Sequence, residues 1–289
     1  MQSRRRARLH ASELILADPR YDQADGLRRM FSTDRLRVMQ VVAGRAGVGR
    51  LSVAVNLGLA LAKAGRDTLL MDVVDDGEQA RALDVLGLKP RIHALGQSIL
   101  AATVPGPHGL GVLPLGLQAR QSPARVAEIA GYCASLEFAL VTGSSALSAQ
   151  LLPIERPRRE VIVVLSRAAT SITEAYALIK RMSTAEVCRR FHVLVNRVGS
   201  EAEALLIYRN MARVAQGYLD VELEFMGFIP ADSAIESARV QGRSLLDGWP
   251  NSAAADAFKK LVHAITRWPL SQSGRAAEEP TFAARAGVA

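Results

Sequence analysis

From Leu36 onward, strand-length apolar runs alternate with amphipathic helical stretches, and no other feature of the chain limits its fold as strongly. The runs 36–43, 67–73, 111–115, 137–142, 160–166, 191–196 and 223–229 are mainly apolar, with adjacent apolar residues rather than a polar residue at every second position. Strands of that kind need cover on both faces, which is the condition inside a parallel sheet. Segments 49–64, 78–86, 123–134, 171–183, 201–217, 232–240 and 252–267 carry apolar residues at helical spacing and supply that cover. The pattern predicts an α/β fold with a mostly parallel sheet and helices on both faces. At 289 residues, 49% of them apolar, the chain is long enough to bury one large core.

The flanks read differently. Residues 1–20 form a basic arm with one dense cluster, Arg4, Arg5, Arg6 and Arg8, and no apolar run suited to a signal peptide. The net charge is +8, but outside that cluster the basic residues are scattered. The charge is therefore read as solvated arginine, and no nucleic-acid partner is expected. In residues 21–35 a short helix is expected, followed by a linker. Asp22 can cap it, and Ala24, Leu27 and Phe31 share one face. Residues 36–268 form the α/β domain, and the Ala/Gly-rich segment 269–289 is expected to be disordered. No run approaches the roughly 20 apolar residues of a membrane span, so a cytoplasmic protein is expected.

Most candidate chemical groups are isolated. Cys133 and Cys188 lie in apolar stretches and suggest neither a disulfide framework nor a metal site. His93, His108, His192 and His263 have no metal-ligand spacing. Ser144 and Ser145 lack the glycines of a nucleophile elbow. In the last helix Ala254, Phe258, Leu261, Val262 and Ile265 share one face. That face is expected to pack on the sheet, with contact to a lipid surface as the alternative.

The exception is the stretch VVAGRAGVGRLSVAVNL, residues 41–57. An apolar strand, three spaced glycines and an apolar helix are the layout of a phosphate-binding loop. In such loops successive backbone N–H groups surround the phosphates, and glycines permit the close approach. Gly44, Gly47 and Gly49 keep that capacity, with Arg45, Ala46 and Val48 between them. Next should come a lysine for the outer phosphates and a hydroxyl for magnesium. Arg50 and Leu51 stand there instead. Arginine keeps the charge in a larger planar fork, whereas leucine has no metal-binding atom. Ser52 comes one residue late, which on a helix turns its hydroxyl by about 100°.

The loop resembles the deviant Walker A motif, KGGxGKT, of the MinD/ParA ATPases, standing here as Arg45-Ala46-Gly47-Val48-Gly49-Arg50-Leu51. NLGLALAKAGRDTLLMD (56–72) and LDVLGL (83–88) resemble the segments that follow in that family. More specifically, the chain resembles the FlhG/FleN flagellar number regulators over residues 21–268. DQADGLRRM (22–30) is similar to their DQA activator helix, and SITEAYALIKRM (171–182) to their SITDAYALIK helix. VLVNRVGSEAEA (193–204) and MGFIPADSAIESARVQGRSLLDGWPNSAAADAF (226–258) match further segments.

The resemblance implies a nucleotide site over Gly44–Ser52, with Asn196 and Pro230 near the base. It also implies that Asp22, Gln23, Ala24, Leu27, Arg28 and Phe31 contact an SRP-type flagellar GTPase and stimulate it. A flagellar transcription regulator or a basal-body switch protein is implied as a second partner. The chain departs from the family at its chemical positions. Arg45 replaces the intersubunit lysine, and Val74 stands at the switch aspartate with Asp75 beside it. Thr142 falls where the Walker B carboxylate belongs. These departures predict a pseudo-ATPase with no catalytic residue, where ATP binds weakly or not at all and magnesium lacks its ligand. An active flagellar ATPase using Arg50, or an accessory MinD-like protein of another secretion or partitioning system, are the alternatives.

Overall fold

The computed structural model describes residues 36–73, 82–89, 98–115, 123–143, 159–185 and 188–268. Among them, eight strands form one sheet: β1 (Arg37–Val42), β2 (Thr68–Val73), β3 (Val104–Pro105), β4 (Gly111–Leu115), β5 (Phe138–Thr142), β6 (Arg159–Ser166), β7 (Arg190–Val198) and β8 (Glu222–Pro230). Their order is β3-β4-β2-β5-β1-β6-β7-β8. Every pairing is parallel except that of β3 with β4. The α/β class with a mostly parallel sheet is therefore the observed one. The helices are α1 (Arg50–Lys63), α2 (Ala82–Val85), α3 (Ile99–Ala102), α4 (Pro123–Cys133), α5 (Ala169–Thr184), α6 (Glu201–Tyr218), α7 (Ser233–Val240), α8 (Leu245–Gly248) and α9 (Ala253–Arg267).

Alternation along each strand sends side chains to both faces of the sheet, where the described residues form three clusters. On one face, Met39 and Val41 of β1, Leu140 of β5 and Ile162 of β6 pack with α1, α7, α8 and α9. On the other, Val163 and Val193 meet α5 and α6, while Val38, Met71 and Val141 meet α3 and α4. Helix α1 is buried continuously from Val53 to Ala62, a stretch whose one polar side chain, Asn56, donates to the Ser52 carbonyl within the helix.

Helix α9 buries Ala254, Phe258, Leu261, Val262 and Ile265 against α1 and β8. The protein itself thus covers the face for which lipid was the alternative. Asp232 fixes this arrangement. Its Oδ1 accepts from the Ala234 N–H at 2.8 Å, and its Oδ2 accepts from the Ala254 N–H at 2.9 Å. One carboxylate thus caps two helices, an arrangement suited to the uncompensated donors and positive dipole end of each.

Four elements were absent from the sequence pattern: β3, α3, α8 and a 3-10 turn at Pro107–Gly109. Each is four residues or fewer, too short to show a period. The helix expected over 78–86 is described only as α2, because residues 78–81 lie outside the described ones. Residues 1–35 and 269–289 lie outside them as well, as do Val74, Asp75, His93, Ser144 and Ser145. No described helix is long and apolar enough to cross a membrane.

A polar cluster occupies the opposite end of the sheet from the glycine loop. The His192 ring is buried, with Nε2 2.7 Å from Glu160 Oε2 and Nδ1 3.2 Å from Glu224 Oε2. It stacks on Trp268 at a centroid distance of 4.2 Å. Arg37 donates to the carbonyls of Ile265, at 3.2 Å, and of Trp268. The end of α9 is thereby fastened to the starts of β1, β6, β7 and β8.

Candidate functional site: a glycine-rich anion cradle

The loop between β1 and α1 sits at the carboxyl end of the central strand, where the strand order reverses on either side of β1. Ligands of open α/β sheets bind at such a point. Three glycines shape the loop. A Cβ on Gly44 would lie 2.2 Å from the Glu174 carbonyl carbon and 2.5 Å from the Ala175 nitrogen, so α5 packs directly on the loop backbone. Gly47 and Gly49 have φ of +81° and +92°, a conformation that glycine adopts without steric cost. A Cβ on Gly47 would meet nothing within 4 Å, so that side of the loop is open.

Helix α1 begins at Arg50, with Gly49 as its N-cap, no side-chain cap and no acidic residue in its first turn. Its first N–H groups and dipole favour an anion. Arg50 Nη1 donates to the Gly143 carbonyl at 3.1 Å, tying the helix start to the end of β5. Arg45, exposed, donates to Thr170 Oγ1 of α5 at 2.5 Å. Leu51 contacts the apolar core. Ser52 lines a groove with Asn56, Val85, Ile235 and Arg239, between α1, α2 and α7.

The remaining expected residues lie toward the carboxyl ends of β5, β7 and β8, and of these Asn196 touches the loop. Asn196, 3% exposed, donates from Nδ2 to the Val48 carbonyl at 2.8 Å, and its Oδ1 has no hydrogen-bond partner. Pro230 closes β8 opposite Val198. Thr142 is fully buried between Val41 and Asp72, and its Oγ1 has no partner. Asp72 is the carboxylate nearest this level of the sheet in register. Its Oδ2 accepts from the Ala82 N–H at 2.7 Å and so anchors α2. The expected partner-binding residues Asp22, Gln23, Ala24, Leu27, Arg28 and Phe31 lie outside the described residues.

Sequence reasoning missed three participants: Arg197, whose Nη1 donates to the Gly47 carbonyl at 3.0 Å, Gly143 and Asp72. The one local signal was the polar pair Asn196-Arg197 breaking an apolar strand at its carboxyl end. The uncapped start of α1 and the glycine loop beside it present backbone N–H groups of the kind that suit an anion. The site places no cluster of His, Cys, Asp or Glu suited to a metal among the described residues.

Comparison with known proteins gives this geometry a lineage. Residues 39–245 match the CobQ/CobB/MinD/ParA nucleotide binding domain. The antiactivator FleN of Pseudomonas aeruginosa is 30% identical over 263 residues, covering 86% of this chain and 93% of that protein. MinD of Aquifex aeolicus superposes with a TM-score of 0.60 at 21% identity, covering 80% of this chain and 96% of the other. MinD of Pyrococcus horikoshii, solved with Mg-ADP, gives 0.60 at 22% identity with the same coverage. At those identities the two structures speak for the fold alone. From the matched domain and the FleN likeness together, the chain belongs to the MinD/ParA nucleotide-binding family, as a FleN/FlhG-like member.

Proposed function

We propose that the chain is a regulator of flagellar number and biosynthesis that works by binding partners, with a nucleotide site that does not hydrolyse ATP. The likeness to antiactivator FleN along nearly its whole length is the observation that carries this reading. The site chemistry supports the second half. Phosphoryl transfer in P-loop proteins is mainly positioning plus charge stabilisation by metal and lysine. Here the backbone cradle and Arg50 suit phosphate, but Leu51 offers no oxygen to a metal. The nearest register carboxylate, Asp72, binds the Ala82 N–H. The residues therefore fit a phosphate group and do not fit a protein-held magnesium ion.

The partner is an SRP-type flagellar GTPase, engaged by the helix expected over residues 22–31. A helix this short is marginal alone in water and gains order by docking. Ala24, Leu27 and Phe31 would enter an apolar groove, with Asp22, Gln23 and Arg28 at its rim. A flagellar transcription regulator is the second partner.

The test is GTP hydrolysis by the GTPase with the full-length protein added. The expected result is stimulation that Leu27→Asp abolishes, because a charge is placed in an apolar contact. A full-length protein that leaves the GTPase rate at its basal value contradicts the reading.

A further inference from the structure

Consecutive residues of a strand point to opposite faces, so Asn196 and Arg197 should not reach the same target. Yet both donate to the glycine loop, Asn196 to the Val48 carbonyl and Arg197 to the Gly47 carbonyl. The cause is local. The β7–β8 register is irregular between Asn196 and Val198, and Arg197 has φ +59°. Only one other non-glycine residue among those described, His108, has positive φ. An irregularity of this kind re-aims a side chain at the cost of an uncommon backbone conformation. Arg197 is exposed, so burial does not impose that conformation.

The consequence follows from the planarity of the peptide bond. In a trans peptide, the carbonyl of one residue and the N–H of the next point in opposite directions. Drawing the Gly47 and Val48 carbonyls toward β7 turns the Val48 and Gly49 N–H groups the other way. With Gly47 and Gly49 both left-handed, those two N–H groups are set by side chains about 150 residues away in sequence.

We propose that Arg197 is a positioning residue of the phosphate cradle: the strained turn at the end of β7 exists to hold the Gly47–Val48 peptide with its N–H toward a bound phosphate. This rests on the nucleotide-site reading above. Its ligand chemistry is a phosphate oxygen accepting from backbone N–H, with no metal required.

The experiment uses full-length protein and the variants Arg197→Gly and Arg197→Lys. Glycine relieves the left-handed strain while removing the donor; lysine restores one donor. Expected for Arg197→Gly is an unfolding temperature equal to or above that of the wild type. ADP affinity should fall about five- to tenfold, the worth of one hydrogen bond. Adenosine, which has no phosphate, should bind both proteins alike, and lysine should recover part of the ADP affinity. In the ligand-free protein, amide exchange in residues 44–51 should rise about fivefold while β1 and β7 stay protected.

If the wild type binds no ADP, the nucleotide-site reading fails, and loop exchange alone decides the role of Arg197. Exchange in the loop equal to the wild type overturns the proposal. So does a fall in unfolding temperature with equal losses for ADP and adenosine, which would mark Arg197 as a general structural contact.

Discussion

Replacing His192 with alanine tests whether the clasp at the far end of the sheet holds α9 in place. The ring has 4% of its side chain exposed and the Glu160 carboxylate 12%, so the pair is largely out of water. The ring lies between two carboxylates, hydrogen-bonded to Glu160 through Nε2 and 3.2 Å from Glu224 Oε2 through Nδ1. Removing one partner of a buried pair leaves a carboxylate without compensation, which costs about 3 kcal/mol or more. The stack on Trp268 is lost as well.

For a domain of this size the unfolding midpoint falls about 2–4 °C per kcal/mol, so a drop of about 6–12 °C is expected at pH 7. The pH dependence has a definite sign. The His192 hydrogen bond holds the Glu160 carboxyl below its ordinary range, against the opposing effect of burial, with His192, Arg190 and Arg37 charges adding to it. A carboxyl lowered in the folded state contributes stability above the unfolded value of about 4.3. That contribution disappears as the pH falls through the lowered folded value. Glu160→Gln should therefore lose stability at pH 7 and show a flatter decline between about pH 5 and pH 3. Thermal melts followed by circular dichroism measure both effects. A His192→Ala protein melting within about 2 °C of the wild type, or a Glu160→Gln acid limb as steep as the wild type's, would show that the clasp does not hold α9.

Gly44→Ala should be poorly tolerated, because its Cβ would sit 2.2 Å from backbone of α5. Overpacking of this kind costs about 1–3 kcal/mol or displaces the loop, so a melting point lowered by several degrees is expected, together with faster exchange in residues 44–49. Burial pushes the Cys133 thiol up to about 12. It should remain unlabelled by iodoacetamide at pH 8 in native protein and react on unfolding, as peptide mass spectrometry would show.

The sheet was legible because its strands are covered on both faces and so read as short, mainly apolar runs. The runs 67–73 and 160–166 became Thr68–Val73 and Arg159–Ser166. Helix α6 runs from Glu201 to Tyr218, against an expectation of 201–217. Its start is marked by Ser200, whose Oγ accepts from the Glu203 N–H. The edge strand β3 has two residues, one of them proline, and offers no period to read. The glycine loop was legible because its spacing is local. Its partners were not, since Arg197 meets Gly47 across 150 residues and Arg50 meets Gly143 across 93. The turn that carries Arg197 to the loop arises from the pairing of β7 with β8, which no local pattern encodes.

The proposed function combines a MinD/ParA scaffold and its phosphate cradle with the loss of metal chemistry. Phosphate release from ATP, measured on the full-length protein with and without magnesium and beside Arg50→Ala, separates this proposal from an active ATPase. Release equal to the buffer control is expected in every case, because Leu51 gives the metal no oxygen and Thr142 supplies no carboxylate at the end of β5. Magnesium-dependent turnover in the wild type that Arg50→Ala abolishes would contradict the proposal.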